Sequence, residues 1–227
     1  ILNYAAKSKD LWNVPCPLFI RSIAMEGQIG PVASASHHGM VMRMPGIPVM
    51  APMPPAEWLE GWRWFLEHDD PIYMSEHRRG FPIDYEMEDE ISGPADITLI
   101  AISAARLNAL EAIEQLSREG IRCHLVHAVG LKPFLLKDSI PDSLDQTGLG
   151  LVIDSDFEVA AAGRSIAYEV MHETGHPVHA LGLEDRSAGF ATRHDNGTPT
   201  AEQIVRMVRH TIGQQNPTNP RSTDHFQ

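Results

Sequence analysis

Ile97-Thr98-Leu99-Ile100-Ala101-Ile102 leads into a helical stretch over about 103–119, closed by Gly120, and then into Cys123-His124-Leu125-Val126-His127-Ala128. The two short runs are apolar at nearly every position, the pattern of strands covered on both faces. Glycine just past the last helical residue is the favoured C-terminal stop. Strand, helix and strand at this spacing predict a βαβ unit and a parallel sheet.

Downstream the alternation continues. Residues 149–154 read as another strand, followed by a helix carrying Val159, Ala162, Ile166 and Val170. Residues 177–183 read as a fourth strand. Thr200 and Gln203 form a capping box at the start of a last helix, whose apolar face is Ala201, Ile204, Val205, Val208 and Ile212;. The segment from Gln214 onward is rich in Asn, Pro and Ser and reads as disordered;.

Upstream, Asp84, Glu86, Glu88, Asp89 and Glu90 form an acidic run closed by Ser92-Gly93-Pro94, which reads as a solvated linker;. It divides the chain into domains 1–92 and 93–213, with a tail over 214–227. In the first domain a helix is predicted over 1–11 and strands over 18–23, 47–50 and 71–76. A helix opened by Pro54-Pro55-Ala56-Glu57 carries Trp58, Leu59, Trp62, Phe65 and Leu66 on one face, read as core;. Met40, Met42 and Met44 are read as packing. The predicted class is α/β with two domains and mostly parallel sheets.

Composition narrows the function. A net charge of -12 over 227 residues leaves no basic stripe for nucleic acid;. No apolar run approaches the roughly 20 residues of a membrane span, and nothing reads as a signal peptide. Cys16 and Cys123 stand far apart, which suggests a reducing compartment without disulfides; a cytoplasmic location is expected;. The chain begins at Ile1 without methionine, as if in mid-helix, and is read as a fragment or a trimmed chain.

The candidate active-site loop is residues 27–39, between two predicted strands. Gly27, Gly30 and Pro31 allow close backbone approach to a ligand, and His37 and His38 offer proton transfer near neutral pH;. Glu76, His77, Arg78 and Arg79 end a strand, where an anionic substrate or another subunit would meet Glu76 and Arg79;. Asp154 and Asp156 follow another strand with the same ambiguity. His172-Glu173-Thr174-Gly175-His176 matches H-E-x-x-H, but Gly175 and Pro177 end the helix before both imidazoles share a turn, so no metal site is assigned;. No phosphate loop and no nucleophile elbow occurs.

The order of these pieces resembles the β subunit of thiamine-dependent 2-oxoacid dehydrogenases and, more broadly, transketolases. Gly30-Pro31 is similar to the start of that family's G-P-x-H-S-Q loop. Pro45-Gly46-Ile47-Pro48-Val49 resembles its P-G-(L/I)-x-V, and Asp69-Asp70-Pro71 its D-(D/N)-N-P turn. Ser75-Glu76-His77 resembles its L-E-H/N strand end, and Ser117-Arg118-Glu119-Gly120 falls in the opening of its C-terminal domain. Ser36-His37-His38-Gly39 looks like the T-H-Q-G of the deoxyxylulose-phosphate synthase branch.

The resemblance implies the later part of a pyrimidine-binding domain followed by a transketolase C-terminal domain. It implies an α₂β₂ heterotetramer with an E1 α subunit and acyl transfer to a lipoyl-bearing E2. Thiamine diphosphate and Mg²⁺ would be held mainly by the α partner. His37, with His38 next, would be the loop histidine near the reacting carbon, and Gly30 and Pro31 would border the cofactor. The family's activating glutamate would lie upstream of residue 1. A gapless alignment from Gly30-Pro31 would instead put Ala33 at the histidine position and favour a non-catalytic paralogue. A split transketolase is the other enzymatic alternative, and a zinc hydrolase through His172 and His176 the remaining one.

Overall fold

The computed structural model describes residues 2–26 and 34–215. In its first half Leu2–Trp12 forms α1, Phe19–Ala24 β1, His38–Met42 α2, Val49–Met50 β2, Pro55–Glu67 α3 and Ile72–His77 β3. β3 runs parallel to β1 on one side and to β2 on the other. A further strand, β6 (Gly130–Lys132), pairs antiparallel with β2. The first sheet is thus completed by a strand from beyond the acidic run, in the order β1-β3-β2-β6.

The second sheet is wholly parallel, with β4 (Ile97–Ile102), β5 (Cys123–Ala128), β7 (Gly150–Phe157) and β8 (Val178–Leu183) in the order β5-β4-β7-β8. Side chains alternate between its faces. Leu99, Ala101, Leu125 and Leu151 pack with α4 (Ala105–Arg118) and α7 (Ala201–Gln215). Ile100, Ile102, Val126 and Val152 pack on the opposite face with α5 (Ser139–Thr147) and α6 (Ala162–Thr174). That second cluster also takes in Val41, Ile47, Val49 and Tyr73, so one core joins the two sheets. Each fully buried Ile, Leu or Val contributes about 1.5–3 kcal/mol.

Local signals place the helix ends as expected. Gly175 caps α6 at φ 74°, a left-handed conformation that costs glycine nothing;. At α7, Thr200 N–H donates to Gln203 Oε1 (2.8 Å) and Gln203 N–H donates to Thr200 Oγ1 (3.3 Å). α7 runs on to Gln215, two residues into the predicted tail, and 216–227 lie outside the described residues.

Three expectations are corrected. The predicted aromatic core face of α3 is largely outside, with Leu59, Trp62 and Leu66 exposed. Gly61 faces the sheet, and of the predicted face Phe65 does pack, with Trp64 beside it, against Met50, Ile72 and Met74. A Cβ at Gly61 would lie 2.4 Å from Met74 Cε, the movable end of that side chain. Trp62 covers itself by stacking on Phe19 at 3.8 Å. Met40 is not packing: residues 38–42 are helical and its side chain points outward, while Met42 and Met44 do reach the core. The acidic run is not wholly solvated. Asp89 accepts from His127 N–H (2.8 Å) and Ser139 Oγ–H (3.2 Å), and Glu90 exchanges backbone hydrogen bonds with Leu125.

Candidate active site

His38, the first residue of α2, is fully buried. Its Nε2 lies 2.9 Å from Asp154 Oδ1 on β7, and its Nδ1 lies 3.1 Å from Ser75 Oγ on β3. Asp156 Oδ2 stands 3.8 Å from the same Nε2. Burial works against charging the ring, but the Asp154 carboxylate and its hydrogen bond, with Asp156 behind it, raise the pKa above the ordinary histidine value;. Burial also lifts the Asp156 carboxyl above its usual range; His38 pulls it down, and the Asp154 charge adds to the rise. When protonated, the ring donates from both nitrogens, to Asp154 and to Ser75.

The residues around His38 are fastened to the same strand. Ser36 N–H donates to the Ser155 carbonyl (3.2 Å), and the Ser36 and Ser155 hydroxyls bond each other at 2.6 Å. Gly39 N–H donates to Asp156 Oδ2 at 2.8 Å. Gly39 sits so close that a Cβ would stand 3.0 Å from Ala161 Cα and Asp156 Oδ2. Asp154 Oδ2 in turn accepts from Gly163 N–H (2.9 Å) in the first turn of α6. Ala35, just upstream, holds φ 137°, a strained value for a residue with a Cβ;. Between these anchors His37 is half-buried, and its ring has no hydrogen-bond partner among the described residues. Gly30 and Pro31, the cofactor-binding candidates, and Ala33 lie outside the described residues.

The structure does not bring Glu76 and Arg79 together. Glu76 is fully buried and takes a two-pronged bond from Arg21 of β1, at 2.6 and 2.8 Å. Arg79 follows the end of β3 and turns to Glu26 Oε1 (3.1 Å) and Asn108 Oδ1 (2.9 Å). His77 lies between them and accepts from Arg79 N–H at 3.2 Å. Burial, with the Arg79 and His38 charges and against the pull of Glu26, takes its pKa down to about 4.

Further polar ties cross between the halves. Arg106 of α4 is completely buried and pairs with Glu57 of α3 through two bonds of 2.8 and 2.7 Å. Burial and the Arg106 charge bring the pKa of nearby His127 to about 4, although Asp89 opposes them. Glu26 accepts from Thr198 N–H (2.8 Å) and borders a cleft of about 430 Å³ with Asn108, Asp195 and Thr200.

The H-E-x-x-H residues do not form a site. His172 stacks on Tyr168, whereas His176 bonds Asp145 at 2.9 Å beyond the end of α6. Burial pushes the Cys123 thiol up to about 12, far from nucleophilic;. Among the described residues, no group of three or more His, Cys, Asp or Glu is arranged to hold a metal ion, and no helix is long and apolar enough to cross a membrane. Asp154 and Asp156 already stood out in the sequence. Ser36 and Ser75 stood only as members of family-like stretches and Ser155 carried no signal, because a serine in or beside a strand is ordinary until its partner is known.

Two mostly parallel sheets and a histidine-bearing loop between them define an α/β protein of the transketolase type. Residues 90–204 match the transketolase C-terminal domain family, and the chain belongs to that family. The chain is 28% identical to 1-deoxy-D-xylulose-5-phosphate synthase 1 of Geobacter sulfurreducens, over 78% of its own length and 30% of that protein's. It is 24% identical to the β subunit of acetoin:2,6-dichlorophenolindophenol oxidoreductase of Bacillus subtilis, over 94% and 68%. With the β subunit of the pyruvate dehydrogenase E1 component of Staphylococcus epidermidis the figures are 21%, 87% and 66%. The chain thus spans under a third of the synthase and about two thirds of the two β subunits. A solved structure described as a split-gene transketolase, an inactive β4 tetramer, shares the fold with a TM-score of 0.67 and 21% identity, over 94% of this chain and 74% of that one.

Proposed function

We propose that this chain is the β component of a thiamine diphosphate-dependent 2-oxoacid dehydrogenase, acting with an α subunit in an α₂β₂ assembly and passing an acyl group to a lipoyl carrier. The observation that carries the reading is the ring of His37, unengaged among the described residues and set between neighbours anchored to β7. The relatives named as E1 β subunits support the same class. His38 has both nitrogens engaged and no exposed surface, so His37 is the loop histidine assigned to the reacting centre.

Thiamine diphosphate, when bound, supplies the nucleophilic carbon and the electron sink for decarboxylation. The donor set of this chain fits only part of that group. His37 is suited to hold or deliver a proton beside the reacting carbon. Glu76 is committed to Arg21 and is not assigned to the cofactor. With no metal-ligating group among the described residues, Mg²⁺ and the diphosphate are assigned to the partner subunit.

The test is titration of thiamine diphosphate and Mg²⁺ into the chain, alone and mixed with a candidate α subunit, with 2-oxoacid decarboxylation followed. The expected result is turnover in the mixture alone, lowered about 10²–10⁴-fold by His37→Ala, the range for loss of a general acid–base. A mixture that neither binds thiamine diphosphate nor decarboxylates any 2-oxoacid would sink the proposal. The synthase relative and Ser36-His37-His38-Gly39 favour a second reading, ketol transfer to an aldose. Supplying aldose and lipoyl acceptors in parallel separates the two.

A further inference from the structure

We propose that Asp154, Ser155 and Asp156, three consecutive residues of β7, together with His38, are positioning residues that set the place of His37. The chemical part of this rests on the assignment of His37 above; the mechanical part rests on geometry alone. Three of four consecutive residues of the loop meet three consecutive residues of the strand. Ser36 binds Ser155 through backbone and hydroxyl, His38 binds Asp154, and Gly39 binds Asp156, while the His37 ring alone has no partner among the described residues. A residue whose neighbours on both sides are fixed has its own backbone fixed too, so its side chain is aimed without being consumed. The C-terminal domain thereby holds the histidine borne by the other half of the chain.

The strand is itself held firmly enough to serve. Asp154 also accepts from the N–H groups of Asp156 (3.1 Å) and Gly163 (2.9 Å), and Asp156 Oδ1 accepts from Phe157 N–H (2.8 Å). Both carboxylates are therefore oriented before the loop meets them. His38 is the centre of the clasp, since its ring reaches β7 on one side and Ser75 of β3 on the other. The titratable groups facing its ring are Asp154 and Asp156 from β7 and His77 from β3; Ala161, which caps α6, and Gly163 in its first turn carry no charge. Loss of the imidazolium charge at higher pH weakens the hold on both carboxylates.

Amide hydrogen exchange on the full chain tests the mechanical part at Ser36 and Gly39, whose N–H groups point at β7. We expect His38→Ala to speed exchange at both by about tenfold or more while Leu99 and Leu151 stay within about twofold, and His38→Gln, which keeps two hydrogen-bonding groups, to restore most of the protection. In wild type, exchange at Gly39, corrected for its intrinsic pH dependence, should rise as pH passes upward through the His38 pKa, and Asp154→Asn should bring that rise to lower pH. Unchanged exchange at Ser36 and Gly39, or equal acceleration across both sheets, would overturn the proposal.

In the assembled enzyme, His38→Ala is expected to lower kcat by about tenfold or more with KM little changed. Two variants separate the possible failures. Turnover lost in His37→Ala but kept in His38→Ala overturns the positioning role alone. Turnover unchanged in His37→Ala overturns the functional reading, and the chemical part of this inference with it.

Discussion

His38 and Asp154 stand 116 residues apart in the chain and meet at 2.9 Å with both side chains buried. The pair joins the loop and first sheet to the second sheet at a point water does not reach. Removing one member of such a pair leaves the other as an uncompensated buried charge. Asp154→Ala should therefore destabilise the protein by roughly 3–5 kcal/mol, measured by urea denaturation at neutral pH. A loss below about 1 kcal/mol would match an exposed pair and contradict this geometry.

Stability should vary with pH in two opposing ways. The pKa of His38 is raised in the fold, so its contribution is complete below about 6.5 and fades as pH rises through the folded value;. His77 and His127 are held to about 4, so the unfolded chain binds more protons between about 6.5 and 4 and stability falls as pH falls through that window;. For His127 the loss is on the order of 3 kcal/mol. His127→Asn should flatten the acid side of the denaturation midpoint plotted against pH, and an unchanged acid slope would refute the assignment.

Glu57 and Arg106 offer a double-mutant cycle. Glu57→Ala strands a completely buried guanidinium and should cost about 3–5 kcal/mol;. Glu57→Leu combined with Arg106→Met replaces the pair by apolar volume and should cost far less than the two single changes added together. Strict additivity in chemical denaturation would mean that the two residues do not interact.

Two glycine substitutions should behave oppositely. A Cβ at Gly182 would stand 2.7 Å from the Asp156 carbonyl oxygen and 2.9 Å from Glu158 N, backbone atoms of the strand that carries the clasp and of the residue just past it. Gly182→Ala should cost about 1–3 kcal/mol or more and disturb Asp156. A Cβ at Gly61 meets only the flexible ends of Met74 and Met50, and alanine gains about 1 kcal/mol of helix propensity, so Gly61→Ala should be nearly neutral;. Thermal unfolding of both variants checks the contrast.

Much of the fold was legible because its signals are local. Mainly apolar runs marked β4 and β5 over their full lengths, Gly175 ended α6, and Thr200 with Gln203 started α7. Besides the short α2, read as loop and packing methionines, two elements went unread. The helix α5 contains Pro141 and Asp142 in its first turn and looks like loop chemistry; β6 is three residues long and exists only because β2 offers it an edge. The face that α3 buries was misread because periodicity marks an apolar stripe but not which side of the helix meets the sheet.

The candidate site divides in the same way. The sequence by itself determined the alternation of strand and helix, the helix caps and the presence of two adjacent histidines in a loop, since each is written within a few residues. Only the tertiary structure decided which of the two is buried and paired with a carboxylate, that Glu76 is taken by Arg21 rather than offered beside Arg79, and that Asp154 and Asp156 grip the loop. Those outcomes depend on groups 55 to 117 residues apart meeting out of water. Burial and partnership of that kind are properties of the assembled interior, which no short stretch of chain contains.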